Sequence, residues 1–228
     1  MKILKIIPFR LQSNRFPNKA LSKYFGMTLI ENALHISNKI SFGETLITCS
    51  VEDYNITKSY LNKYKDKFDF LSTKSTCNSA TERIIEIFEK KQADIYVSIP
   101  IDEGALSPHE LERVITEIQY EEFEAYTLYC DFYNLEDAYD NLSAKIVTDL
   151  EDNILYMSRS AIPIAKNGKV EKSMMKKHVG VFLFRRKFLQ ALYEARSKKT
   201  VLDKYEGLEQ LRLLELGFSI KTKKSLLD

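Results

Sequence analysis

Tryptophan is absent from the 228 residues, and glycine (seven) and proline (five) are scarce. So few glycines leave no Gly-rich phosphate loop, and no G-x-x-x-x-G-K-[ST] run occurs. Three cysteines, Cys49, Cys77 and Cys130, are odd in number and far apart, which excludes a disulfide framework and any C-x-x-C metal knuckle. Three dispersed histidines argue against a His-ligated zinc. No apolar run approaches the roughly 18 to 20 residues that a membrane helix requires, and residues 1–7 are too short for a signal peptide. Charge of one sign is lacking too: 34 basic against 32 acidic residues give +2, so no global field draws nucleic acid. The expectation is a cytoplasmic protein with neither nucleic acid nor membrane as partner. Its chemistry must rest on Arg, Lys, Asp and Glu.

What is present is a folded chain, 44% apolar and 29% charged. Residues 2–8 form a β-branched apolar run stopped by Pro8, hence a buried strand. A basic, polar stretch (9–23) follows. Thr28 then caps a helix predicted to about residue 38. Strands are predicted at 45–50, 68–72 and 94–100, and helices at 52–64, 79–90 and 108–119. The second of these helices turns Ile84, Ile85, Ile87 and Phe88 inward, and Pro108 opens the third. Such alternation predicts parallel βαβ units with right-handed crossovers. Beyond residue 124 the rhythm changes. Strands at 125–132, 145–148 and 154–158, with a turn at 149–153, predict a hairpin and antiparallel additions to the sheet. A strand at 179–184, helices at 186–196 and 208–216, Gly217 as a helix cap and a last strand at 219–222 complete the pattern. The predicted architecture is α/β, a mostly parallel central sheet flanked by helices, in one domain (1–228) with a small antiparallel excursion at about 130–180.

In open parallel sheets, ligands bind beyond the carboxyl ends of the strands. Three segments fall there. Residues 8–21 gather Arg10, Arg15 and Lys19 in one loop, a pattern that suits a triphosphate, although a solvated basic loop has the same composition. Residues 78–83 open a helix whose N–H groups can take an anion or a base edge; equally, Ser79 and Glu82 form a capping box. Asp102 and Glu103 follow a buried strand, where carboxylates suit magnesium held jointly with substrate phosphates, or form an ordinary acidic turn.

Together these segments resemble the 3-deoxy-manno-octulosonate and acylneuraminate cytidylyltransferase family. That family opens with P-A-R-x-x-S-x-R-[LF]-P-x-K-x-L, and this chain has Pro8, Arg10, Ser13, Arg15, Pro17, Lys19 and Leu21 in step. S-G-T-E-R is matched by Ser79, Thr81, Glu82 and Arg83, with Ala80 for glycine. Q-G-D-E-P is matched at Asp102 and Glu103 alone. A strand lysine followed by L-Y-x-S-R-x-x-I-P matches Lys145 and residues 155–163; H-[LV]-G-[IV]-[YF] matches residues 178–182. E-x-L-E-Q-L-R matches Glu206, Leu208, Glu209, Gln210, Leu211 and Arg212.

The resemblance implies a Rossmann-like, nucleotide-diphospho-sugar-transferase-like fold. It also implies transfer of CMP from CTP to the anomeric hydroxyl of a 3-deoxy-2-keto sugar acid, with release of pyrophosphate, for lipopolysaccharide or surface-glycan synthesis. Mg2+ would be the cofactor, CTP and an acidic sugar the partners, and a homodimer formed through the excursion the assembly. Arg10, Lys19 and Asp102 are the implied catalytic residues. Pro8, Arg10, Ser13, Arg15, Lys19, Ser79, Thr81 and Arg83 would hold the nucleotide. Arg159 would meet the acceptor carboxylate, and His178, Glu206 and Gln210 its hydroxyls. Asp102 would hold the metal, with Asp228 standing in for the second ligand of the family's closing G-[VI]-D-T, which is not recognisable here. Other readings have Arg159 and Glu206 pairing with each other, and Gln210 and His178 as surface residues. The chain also departs from the family in having Pro100-Ile101 for Gln-Gly, Gly104 for proline, and Cys49-Ser50 where the family has T-D. These departures predict an altered acceptor. The alternatives are a weak or inactive paralogue that binds nucleotide or a partner, and a subunit of a hetero-oligomer.

Overall fold

The computed structural model describes residues 1–12 and 16–225. The first strand, β1 (Ile3–Pro8), is buried along its whole length and is followed by the two-residue strands β2 (Lys23–Tyr24) and β3 (Met27–Thr28). These pair as a tight hairpin that residue pattern did not predict, because two-residue strands carry no periodicity. Helix α1 (Leu29–Lys39) begins at a full capping box: the Thr28 hydroxyl accepts from the Glu31 N–H while the Glu31 carboxylate accepts from the Thr28 N–H. Then come β4 (Glu44–Thr48), α2 (Val51–Leu61), β5 (Asp69–Phe70), α3 (Ala80–Lys90), β6 (Ile95–Ser98) and α4 (Pro108–Ile118). On α3 the inward set is Arg83, Ile84, Ile87 and Phe88; Ile85 is only half-buried, and Arg83 takes an inward place that periodicity assigned to apolar residues. The second half holds β7 (Ala125–Cys130), β8 (Lys145–Thr148), β9 (Ile154–Ser158), β10 (Lys176–Arg185), α5 (Arg186–Glu194), α6 (Leu202–Glu206), α7 (Leu211–Glu215) and β11 (Ile220–Lys224).

The main sheet runs β11-β7-β10-β6-β1-β4-β5. All its neighbours are parallel except β10, which is antiparallel to both β6 and β7. The predicted hairpin β8–β9 is antiparallel and joins the sheet through the start of β10. The helix expected at 208–216 is shorter, α7 alone, and it is preceded by α6, which residue pattern did not predict and which Gly207 ends at φ +65°, a left-handed conformation. Gly217, at φ +85°, closes α7 as expected.

Alternation along β1 sends Ile3 and Ile7 to a core under α1 and α4, and Leu4 and Ile6 to a second core under α3, α5 and α7. Each fully buried aliphatic side chain is worth about 1.5 to 3 kcal/mol. Lys5 is the exception on this strand. Its ammonium donates to the carbonyls of Ser37 (2.8 Å) and Ile40 (3.1 Å) at the end of α1, and burial pushes its pKa down to about 8. A cation there satisfies carbonyls that the helix leaves open. Because β1, β4, β6 and β7 end on one edge and antiparallel β10 begins on it, the segments that follow those strands and the one that precedes β10 are delivered to the same side.

Candidate active site

That edge holds a cavity of about 810 Å3, within the range of small-molecule sites. One wall is the loop after β1. Its base is fixed: the Phe9 N–H donates to Thr48 O (3.1 Å), the Asn18 N–H to Leu11 O (2.9 Å), and the Leu11 N–H to the Asp53 carboxylate (3.2 Å). With Phe9 and Leu11 buried, Arg10 between them faces outward, exposed, at the cavity rim. Lys19 starts a single 3-10 turn after Asn18, which adopts φ +57°. Its ammonium donates to Asp102 Oδ2 at 2.7 Å, across the cavity floor from β1 to the segment after β6. Two of the predicted catalytic residues are therefore in direct contact, and the third, Arg10, lines the same cavity. Ser13 and Arg15 lie outside the described residues, as does Asp228.

The opening of α3 is a capping structure first. The Ser79 hydroxyl accepts from the Glu82 N–H (3.2 Å), and the Asn78 N–H donates to Glu82 Oε2 (2.6 Å). Ser79 and Arg83 line the cavity, yet the Arg83 guanidinium is buried and donates to Thr73 Oγ1 (2.5 Å) and Cys77 O (3.2 Å). It braces the 73–77 segment. Thr81 is not on the cavity wall; its hydroxyl donates to Glu209 Oε1 (2.9 Å). Glu209 does face the cavity, and burial pushes its carboxyl pKa up. Sequence reasoning matched Glu209 to a motif without giving it a role, because its partner is 128 residues away.

The far wall brings Arg159, His178 and Gln210 together with Lys177, which pattern alone left in a polar stretch. His178 sits near the start of β10 with its Nε2 2.9 Å from Thr127 Oγ1. The Thr127 hydroxyl also lies 2.7 Å from Val181 O and 3.2 Å from Val179 O. Its single proton goes to a carbonyl, so His178 Nε2 donates to it and Nδ1 keeps its lone pair. Burial pushes the imidazole pKa down to about 4, so the ring is neutral at pH 7. Glu103 is half-buried, lines the same cavity and accepts from the Gly180 N–H at 2.7 Å. A Cβ on Gly180 would lie 2.9 Å from Glu103 Oε1, so a side chain there would push this carboxylate aside. Glu206 does not line the cavity. Its Oε2 accepts from the Arg159 backbone N–H (3.1 Å) and its Oε1 from the Ser158 hydroxyl (2.8 Å), which realises the pairing reading rather than a group presented to a ligand.

A family model described as "Cytidylyltransferase" matches residues 4–223. The chain belongs to this family. Its curated relatives include the 3-deoxy-manno-octulosonate cytidylyltransferases of Escherichia coli, 27% identical over 97% of this chain and 87% of the relative, and of Geobacter metallireducens, 31% identical over 97% and 89%. The 8-amino-3,8-dideoxy-manno-octulosonate cytidylyltransferase of Shewanella baltica is 32% identical over 100% of this chain and 92% of its own. A solved CMP:2-keto-3-deoxy-manno-octonic acid synthetase complexed with CTP superposes with a TM-score of 0.84 at 26% identity, covering 98% of this chain and 90% of the other. The fold class read from sequence is therefore that of the family.

In this cytidylyltransferase, Pro8, Arg10, Lys19, Ser79, Arg83, Asp102, Arg159, His178 and Gln210 share one cavity. Among the described residues no group of three or more His, Cys, Asp or Glu is placed to hold a metal unaided. Asp102, with its side chain about half exposed at the cavity floor, fits instead a magnesium that shares its ligands with bound phosphates. No described helix is long and apolar enough to cross a membrane.

Proposed function

We propose that the chain transfers CMP from CTP to the anomeric hydroxyl of a 3-deoxy-2-keto sugar acid, an octulosonate or a close derivative, releasing pyrophosphate. The observation that carries this is the Lys19–Asp102 pair on the cavity floor, between an exposed cationic loop and a polar wall containing Arg159, His178 and Gln210. The names of the relatives, octulosonate and 8-amino-octulosonate cytidylyltransferases, support the substrate class.

In this reading Arg10 and Lys19 take the triphosphate, where charge-assisted hydrogen bonds neutralise it and hold the α-phosphorus in place. The acceptor oxygen attacks that phosphorus in line. A new P–O bond forms as the bond to the bridging oxygen of the β-phosphate breaks; the electron pair leaves with pyrophosphate, and the hydroxyl proton passes to solvent. Asp102 would hold Mg2+, which when bound supplies a Lewis acid for the developing charge. With Asp102 so engaged, the Lys19 ammonium would be free to face the phosphates. His178 Nδ1 accepts from an acceptor hydroxyl, and Gln210 reads another. The four backbone carbonyls that Arg159 engages, those of Asn141, Leu142, Glu206 and Gly207, make it chiefly a brace of this wall. Lys177 is the cavity cation better suited to the acceptor carboxylate.

The Pro100-Ile101 departure lines the same cavity, which supports an acceptor other than unmodified octulosonate. We further propose a cytoplasmic homodimer serving lipopolysaccharide or surface-glycan synthesis. Exposed apolar side chains in and beside the excursion, among them Tyr133, Leu150, Leu155 and Ile164, support pairing through this region, which light scattering at micromolar concentration tests. The function is tested by CTP with a panel of 3-deoxy-ulosonic acids, including 8-amino forms, read as pyrophosphate release. Release that depends on both substrates is expected. CTP binding without release on any member of the panel would reassign the chain as a nucleotide-binding module.

A further inference from the structure

Lys145, at the start of β8, is fully buried and faces no carboxylate within salt-bridge distance among the described residues. Its ammonium donates to three backbone carbonyls: Asp140 (2.7 Å), Ser143 (3.0 Å) and Arg159 (2.7 Å). Three protons on three carbonyls complete its donor capacity. The Arg159 guanidinium reaches the carbonyls of Asn141 and Leu142 on one side (both 3.0 Å) and of Glu206 and Gly207 on the other (both 3.1 Å). Glu206 closes the circuit through the Arg159 N–H and the Ser158 hydroxyl. Two cations and one carboxylate thus tie together segments 140–143, 158–159 and 206–207.

Neither Lys145 nor Glu206 reaches the cavity, but the segments they hold form its wall: Leu142, Ser143, Ala144, Arg159, Gly207 and Leu208. A buried ammonium is costly, and an apolar side chain would fill the same space at lower cost. What lysine adds is fixed carbonyl geometry in a loop with no regular structure of its own. We propose that Lys145 and Glu206 are positioning residues, the two ends of one charged clamp that presets the acceptor wall while leaving the nucleotide loop independent. This rests on the reading above that the wall receives the acceptor.

The test compares the full chain with Lys145→Met, Glu206→Gln and the double variant. The clamp predicts an acceptor KM raised at least tenfold in Lys145→Met and severalfold in Glu206→Gln, with the KM for CTP within twofold of wild type. It also predicts a double variant no worse than Lys145→Met, because both changes open one unit. An unchanged acceptor KM, an equal rise in both KM values, or fully additive losses would overturn it. If Lys145→Met does not fold, Glu206→Gln, which keeps one acceptor oxygen, carries the kinetic test. Should the wild-type chain turn over no 3-deoxy-2-keto sugar acid, the functional reading fails, and the clamp is then judged by hydrogen exchange of Glu206→Gln. Loss of protection confined to 140–144 and 206–211, with CTP affinity intact, sustains it; uniform loss or none refutes it.

Discussion

A neutral histidine at the cavity wall makes an acid-sensitivity prediction that can be worked from the structure. Burial lowers the His178 pKa from 6.5 to about 4, and its Nε2–H is committed to Thr127. The unfolded chain therefore binds a proton at this site between about pH 6.5 and 4 while the folded chain does not. Stability contributed by the neutral ring is fully present above pH 6.5 and falls as pH drops towards 4. At about 1.4 kcal/mol per pH unit of separation, the gap between 6.5 and about 4 sets a ceiling of about 3 kcal/mol, lower in practice because the ring is only half-buried. Replacing His178 by Gln keeps an N–H donor for Thr127 and removes the titration. Urea unfolding from pH 7.5 to 4 should give a wild-type stability that falls more steeply than the variant's, by about 1 to 3 kcal/mol across that span. Carboxylate titrations contribute equally to both proteins and cancel in the difference. Identical slopes would refute the burial argument. Turnover should show no inflection from this residue between pH 5.5 and 8.

The remaining predictions concern the cavity floor. Arg10→Ala or Lys19→Ala should weaken CTP binding by about 1.5 to 3 kcal/mol, ten- to a hundred-fold by calorimetry. Because Arg10 is exposed and the Lys19–Asp102 pair is half exposed, the melting temperature should scarcely move, and unchanged affinity in both variants would sink the nucleotide assignment. Asp102→Asn should abolish pyrophosphate release while sparing most CTP binding; release from EDTA-treated wild-type protein as fast as in millimolar magnesium would remove the metal role. Pro100→Gln should raise turnover of unmodified octulosonate relative to other acceptors at saturating CTP. The single change is the clean test, since Ile101 is buried in the core and its replacement by glycine would leave a hole.

Strand–helix alternation made the sheet legible from sequence, because apolar runs ending at Pro8 and Pro100 mark both a buried strand and the edge where it stops. The same logic located Arg10, Lys19 and Asp102, since the residues after such strands must face the ligand edge. The helix at 208–216 was drawn too long because its apolar spacing starts at Leu208, whereas residues 208–210 lie in a turn and the helix spans Leu211–Glu215; α6, five residues long, carries too little periodicity to be read. Lys145 was matched to a motif, but its role stayed unread for a different reason. Its partners are backbone carbonyls, which leave no trace in residue identity, and the same holds for the bond between Glu103 and Gly180. Thr81 and Glu206 were legible as motif members but not as inward-facing ones, because a motif match does not say which way a side chain points.

The two halves of the cavity are built by different means, and this bears on how the chain diverged. The nucleotide side offers exposed cations on a loop held at its neck, each alterable with little effect on the core. The acceptor side is a buried polar circuit, where one change leaves several carbonyls without donors. A site losing function by drift would be expected to decay in the exposed loop first, yet Arg10 and Lys19 remain and Lys19 is paired with Asp102. Three of the departures, Pro100, Ile101 and Gly104, fall in the 100–104 turn, and there they fit their surroundings. Pro100 packs beside Gly180, where an added Cβ would lie 3.4 Å from its ring, and Gly104 lies under Tyr24, where an added Cβ would come within 2.9 Å of the aromatic ring. The family's proline at 104 could not coexist with Tyr24 in this position, so the glycine and the Tyr24 hairpin go together. On the function proposed above, substitutions that accommodate one another between the cationic loop and the polar wall would reshape the floor for a different acceptor.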